Sequence, residues 1–216
     1  MIDFQNVTKS YDKANALRNV ELHIEAGEMA FLTGHSGAGK STLLKLVMLM
    51  ERPSQGQVFV NQLNLNQLKR RQIPRLRREI GMIFQNPMLL PKRSVFENVA
   101  LPLIINGFRL PEIKRRVHAA LEKVGLLEKH KLFPDALSAG EQQRIGIARA
   151  VVNKPTILLA DEPTGNLDPE LSKEIMNLFE AFNAVGVTVL VATHDLPLIA
   201  ALNHRIITLK KGQVLN

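Results

Sequence analysis

Alternating and continuous apolar runs divide this chain into short strands and longer amphipathic helices. Residues 2–7 alternate apolar and polar positions as a half-exposed strand does. Residues 17–24 and 28–32 predict two further strands, parted by a turn at Glu25, Ala26 and Gly27. Good helix formers fill 42–50; then 56–60 predict a strand, 61–64 a turn, and 80–84 an apolar strand ending at Gln85, Asn86 and Pro87. From about 88 to 152 the pattern turns helical. Ile113, Val117, Ala120, Leu121 and Val124 share one face, with Pro111 and Glu112 suited to the start of that helix and Gly125 to its end. A second helix spans 141–153, with Ser138 ahead of it as a cap. Strands return at 156–160 and 187–191, apolar throughout as strands covered on both faces are. Between them, 170–185 form an amphipathic helix through Leu171, Ile175, Leu178, Phe179 and Phe182. Residues 205–209 and 213–215 are short closing strands. Strands alternating with helices predict an α/β fold with a mostly parallel, helix-covered sheet. Residues 1–87 and 156–216 form its core, and 88–155 an inserted helical subdomain.

The strand at 28–32 runs into Gly34, His35, Ser36, Gly37, Ala38, Gly39, Lys40 and Ser41, the spacing G-x-x-x-x-G-K-[ST] of a phosphate loop, and a helix follows it. A helix start offers unpaired N–H donors with the positive end of the dipole behind them. The three glycines let the backbone curl around a polyphosphate. Lys40 reaches its β- and γ-phosphates, and the Ser41 hydroxyl ligates Mg²⁺. The expected ligand is a nucleoside triphosphate.

In open parallel sheets the ligand sits beyond the carboxyl ends of the strands. Gln85, Asp161, Glu162 and His194 share that position with the phosphate loop, so they are expected to form one site. Asp161 suits a metal, held directly or through water, and Glu162 suits a general base on the attacking water. His194 can donate to the γ-phosphate, and Gln85 can reach the metal or the water. Tyr11, the one tyrosine in a chain without tryptophan, is placed in a polar turn, either as packing or as a ring that stacks on a nucleobase.

Composition narrows the setting. No apolar run approaches 18 residues and no signal-peptide pattern opens the chain, so neither a membrane span nor a secretory leader is expected. Zero cysteines exclude disulfides and thiolate metal sites and agree with a cytosolic location. The 28 basic against 20 acidic residues give a net charge of +8, densest at Lys69, Arg70, Arg71, Arg75, Arg77 and Arg78. Such a stretch is a solvated surface or a contact for anionic lipid or nucleic acid. Nucleic-acid-associated ATPases with these motifs usually carry a long coiled coil, zinc sites or tandem ATPase domains. None is visible here.

Taken together, the motifs resemble those of the nucleotide-binding subunits of ABC transporters over essentially the whole chain. The phosphate loop is followed by Gln85 and then by Leu137, Ser138, Ala139, Gly140, Glu141 and Gln142, similar to the signature motif. Residues 157–162 resemble Walker B, Asn166, Leu167 and Asp168 the D-loop, and His194 the H-loop. The resemblance implies the ABC ATPase fold with an N-terminal antiparallel β region, ATP and Mg²⁺ as cofactors, and Tyr11 stacked on adenine. His35, Ser36, Ala38 and Thr42 would line the phosphates, and Ser41, Gln85 and Asp161 the metal. It further implies a head-to-tail homodimer with two ATP molecules between the copies. Ser138, Gly140, Glu141 and Asp168 of one copy would then face the nucleotide of the other. The text of residues 137–168 and 98–105 is most similar to the family's cell-division branch, and much of it is shared with lipoprotein-releasing and macrolide-exporting ATPases. An integral membrane partner is implied, with the chain peripheral on the cytoplasmic side of the inner membrane and a partner helix near Gln85, Met88, Leu89, Leu90 and Phe96. In one departure from the family pattern, Ala139 replaces the first of two glycines, and its methyl group is expected to crowd the phosphate or slow turnover.

Overall fold

The structure, a computed structural model, describes residues 1–12, 14–165 and 167–215. Strand β1 (Ile2–Tyr11) pairs antiparallel with β2 (Ala14–Ile24). β3 (Met29–Thr33) leads through the glycine-rich turn into helix α1 (Lys40–Val47). β4 (Gln55–Val60) returns to β1, and β5 (Leu63–Asn64) pairs with β4, giving a first, antiparallel sheet of order β2-β1-β4-β5. α2 (Ile73–Arg78) precedes β6 (Ile80–Phe84), and α3 (Val95–Ile105), α4 (Leu110–Lys123) and α5 (Ala139–Val151) follow it. Then come β7 (Ile157–Asp161), α6 (Pro169–Asn183), β8 (Thr188–Ala192), α7 (Leu196–Ala200), β9 (Arg205–Lys210) and β10 (Gln213–Leu215). The second sheet has the order β10-β9-β3-β8-β7-β6, parallel from β9 to β6 with β10 antiparallel at one edge.

Successive residues of a strand face opposite sides of the sheet, and β3 shows the consequence. Ala30 and Leu32 join a core with Phe4, Leu17, Leu43, Leu44 and Leu46, between the two sheets and α1. Met29 and Phe31 join another on the opposite face, with Val99, Val117, Ile145, Ile175 and Phe179 from α3 to α6. Strands covered on both sides must be apolar at every position, which is why the periodicity of β3, β7 and β8 vanishes.

Register decides what the sheet presents at its edge. Phe84 pairs with Asp161, Asp161 with Ala192, and Ala192 with Leu32. Four strands therefore end level, and the residues after them emerge in one row. Among the described residues no helix is long and apolar enough to cross a membrane.

Several elements depart from the sequence pattern, among them residues 63–64, expected within a turn, which pair with β4 as β5. β1 runs past residue 7, because Asn6 at φ 50° opens a bulge between Phe4 and Val7 that breaks the alternation. Tyr11 is thus the last residue of β1 rather than part of a turn. Within the basic stretch, Pro74 starts the six-residue α2, which buries only Leu76, and the five-residue α7 buries only Ile199. Helices this short hold too little periodicity to be read.

Candidate active site

The phosphate loop is shaped by close backbone approach. Gly34 lies at φ 145° and Gly39 at φ 111°. A Cβ would stand 2.3 Å from the Leu209 carbonyl oxygen at the first position and 2.5 Å from that of Ala16 at the second. Only glycine fits this passage between β9 and β2. Gly39 is also the N-cap of α1 and supplies no side chain to it, so the first-turn N–H groups are left for a ligand. His35, Ser36 and Gly37 are exposed at the tip.

The side chains behind the loop form one linked group. Lys40 is 7% exposed; its Nζ donates to the Gly34 carbonyl at 2.7 Å and lies 3.4 Å from Oε1 of Glu162. The other Glu162 oxygen is 2.8 Å from Nδ1 of His194, whose side chain is 68% exposed. Glu162 takes the left-handed φ of 49° and donates its amide to the Ala192 carbonyl at 2.8 Å, which carries it from β7 to the end of β8. The Ser41 hydroxyl donates to Oδ1 of Asp161 at 3.1 Å. Burial holds the Asp161 carboxyl above the usual range, with the neighbouring Glu162 charge acting the same way, against the Ser41 hydrogen bond and the Lys40 and Lys45 charges.

Gln85 follows β6 in the same row, and helix α5 fixes its surroundings. Gln143, 2% exposed, donates to the Phe84 carbonyl at 3.1 Å. The Arg149 guanidinium donates to the carbonyls of Pro87 and, at 3.1 Å, Met88. Neither residue was anticipated: both interrupt an apolar helix pattern, and their partners lie about 60 positions earlier in the chain. A cavity of about 170 Å³ separates Gln85 and Asn86 from Ala139, Gln142 and Leu167.

The remaining motif residues sit at helix starts. Ser138 caps α5, accepting from the Glu141 amide at 3.3 Å, and the Glu141 carboxylate accepts from the Ser138 amide at 3.0 Å. Lys129 also bonds Glu141 and holds its carboxyl below the usual range. Ala139 is exposed at the first helical position. A Cβ on Gly140 would stand 1.9 Å from Leu171 Cδ2, so the glycine there lets α5 approach α6. Asp168 caps α6 through the Leu171 amide at 2.9 Å. Asn166 lies outside the described residues. None of these bonds, among the described residues, reaches the phosphate loop. Tyr11 stands on the other sheet, 41% exposed, with its hydroxyl donating to Glu51. A larger cavity, about 860 Å³, lies between α4 and α6 at the amino ends of β7 and β8 and includes none of these residues.

Comparison with known proteins finds relatives in sequence and in fold. A profile of the ABC transporter family matches residues 17–165. The cell division ATP-binding protein FtsE of Escherichia coli K12 is 60% identical over 215 residues, 99% of this chain and 97% of its own. A bacterial ABC transporter cassette solved as a dimer superposes with a TM-score of 0.93 at 39% identity, covering 100% of this chain and 97% of that one. The same cassette in a dimeric post-hydrolysis state, bound to ADP and Pi, gives 0.92 at 38% identity with the same coverage.

Proposed function

The chain belongs to the ABC transporter family as an ATP-hydrolysing cassette of the cell-division, FtsE-like kind, and we propose that its side chains divide the work as follows. The N–H groups of the loop and Lys40 hold the β- and γ-phosphates, with His35, Ser36, Ala38 and Thr42 around them. Tyr11 stacks on the adenine. Ser41 and Asp161 offer the oxygen donors that a hard cation takes, and with Gln85 they would hold Mg²⁺, which when bound neutralises phosphate charge. Glu162 accepts the proton of the attacking water as its oxygen bonds to the γ-phosphorus and the bond to ADP breaks. His194 steadies Glu162 and contacts the γ-phosphate.

The observation that carries this reading is the single carboxylate shared by Lys40 and His194. Without nucleotide, Glu162 neutralises the phosphate-binding cation. An arriving γ-phosphate competes for Lys40 and releases the base to its water, so the base is freed only when substrate is present.

Residues 88–155 act as a subdomain that carries the signature helix, with 1–87 and 156–216 as the nucleotide-holding part. Two copies meet head to tail, and Ser138, Gly140, Glu141 and Asp168 of each close on the nucleotide of the other; the dimeric relatives support this. The cassette works at the inner face of the cytoplasmic membrane through an FtsX-type membrane protein. Met88 and Leu90, 63% and 42% exposed beside Gln85, offer the contact, whereas Leu89 and Phe96 pack against the helical core. Lys69, Arg70, Arg71, Arg75 and Arg78 are exposed, which supports their contact with anionic lipid. Arg77, also exposed, is partly spoken for, since it donates to the Met48 and Leu49 carbonyls that end α1.

Sedimentation of Glu162→Gln tests the assembly. Monomers are expected without nucleotide and with ADP, and dimers with saturating ATP. A chain that stays monomeric with ATP bound would overturn the head-to-tail arrangement.

A further inference from the structure

Tyr11 ends β1 at an exposed position, and a tyrosine there would ordinarily sample several rotamers. This one is held. Its hydroxyl donates to Oε2 of Glu51, and Lys9, two residues earlier on the same face of the strand, reaches the same oxygen at 3.1 Å. The Lys9 ammonium also donates to the Arg52 carbonyl at 3.0 Å and stands over the Tyr11 ring, 4.9 Å from its centroid. Glu51 is itself fixed just past α1, where Leu49 turns at φ 48°, and Lys45 of that helix lies 3.9 Å from its other oxygen. The tyrosine hydroxyl, its strongest influence, keeps the Glu51 carboxyl below the usual range. One carboxylate thus joins the end of the first sheet to the helix that begins with Lys40 and Ser41.

We propose that Glu51 is a positioning residue for the nucleobase: with Lys9 it locks the Tyr11 ring in place before the nucleotide arrives, one face covered by the ammonium and the other left for the base. This rests on the reading of Tyr11 as the adenine-stacking residue. A side chain ordered in advance need not be ordered on binding, which is worth roughly two- to tenfold in affinity. The same link sets the distance between base platform and phosphate helix, so Glu51 acts on the base end of the ligand and not on the phosphate end.

Binding of ATP and of inorganic tripolyphosphate, which has no base, separates the possibilities when measured by calorimetry or by competition. Glu51→Ala and Tyr11→Phe are each expected to weaken ATP about two- to tenfold, to leave tripolyphosphate unchanged and not to add in the double variant. Glu51→Gln, which still accepts from the hydroxyl, retains most of the affinity. Equal weakening of ATP and tripolyphosphate by Glu51→Ala would overturn the proposal and assign Glu51 to the phosphate helix. Unchanged ATP affinity in Glu51→Ala, with Tyr11→Ala weakened, would overturn it while sparing the stacking role. Unchanged affinity in Tyr11→Ala would remove the stacking role and the proposal together.

Discussion

Glu162 stands in a left-handed conformation that costs an L side chain about 1–2 kcal/mol, and it does so where its carboxylate meets Lys40 and His194. Strain at such a point is held by its surroundings, here the hydrogen bond that the Glu162 amide donates to the Ala192 carbonyl. Glu162→Gly is therefore expected to be more stable than Glu162→Ala by about 1 kcal/mol, both lacking turnover, as read from denaturant midpoints. Equal midpoints would mean that the conformation is unstrained. Asp161 behaves oppositely to a paired surface carboxylate. Burial raises its folded-state pKa above the ordinary 3.8, so the folded chain binds the proton more firmly than the unfolded chain. Stability then falls as pH rises through the window from 3.8 up to the raised value, and the cost is fully present above it. Asp161→Asn should accordingly raise the melting temperature at pH 7, with a gain that shrinks as pH is lowered towards 4, while hydrolysis is lost. A lower melting temperature at pH 7 would contradict this.

At the scale of elements, α5 links the signature residues to the strand row. Its cap and apolar face are legible in the sequence, although it starts at residue 139 and not 141 because the capping box draws Ala139 and Gly140 into the first turn. The observed cap of Ser138 and its proposed trans contact can be pulled apart. Aspartate caps a helix about as well as serine but repels a phosphate. Ser138→Asp is thus expected to keep the melting temperature and abolish ATP-driven dimers, and dimers that persist would remove Ser138 from the trans contact. The packing of α5 on β6 has no such signal, since it depends on close approach. A Cβ at Gly81 would lie 2.7 Å from the Ala150 carbonyl oxygen, and one at Gly146 would lie 2.9 Å from Pro87 Cβ. Gly81→Ala should cost about 1–3 kcal/mol by chemical denaturation. The bonds from Gln143 and Arg149 were invisible for a related reason: nothing local to either residue indicates that its partner is the backbone after β6.

For the whole molecule, the legible part is what the parallel sheet imposes. Apolar strands covered on both faces predict helices on either side, and their carboxyl ends predict where chemistry gathers, so Gln85, Asp161, Glu162 and His194 could be grouped with the phosphate loop from sequence. Their contacts could not. The bond from Ser41 to Asp161 and the ion pair from Lys40 to Glu162 depend on strand register, which pairs Asp161 with both Phe84 and Ala192. The tie from Tyr11 to Glu51 depends on how the first sheet meets the end of α1. All of this converges on the proposal that one row of strand ends binds and cleaves ATP. Turnover of Glu162→Gln, measured beside its affinity for ATP, tests that directly. The expected result is ATP binding at least as tight as in the unmodified chain, since the carboxylate that competes for Lys40 is gone, with hydrolysis slowed by about 10²–10⁴-fold; unimpaired hydrolysis would contradict it.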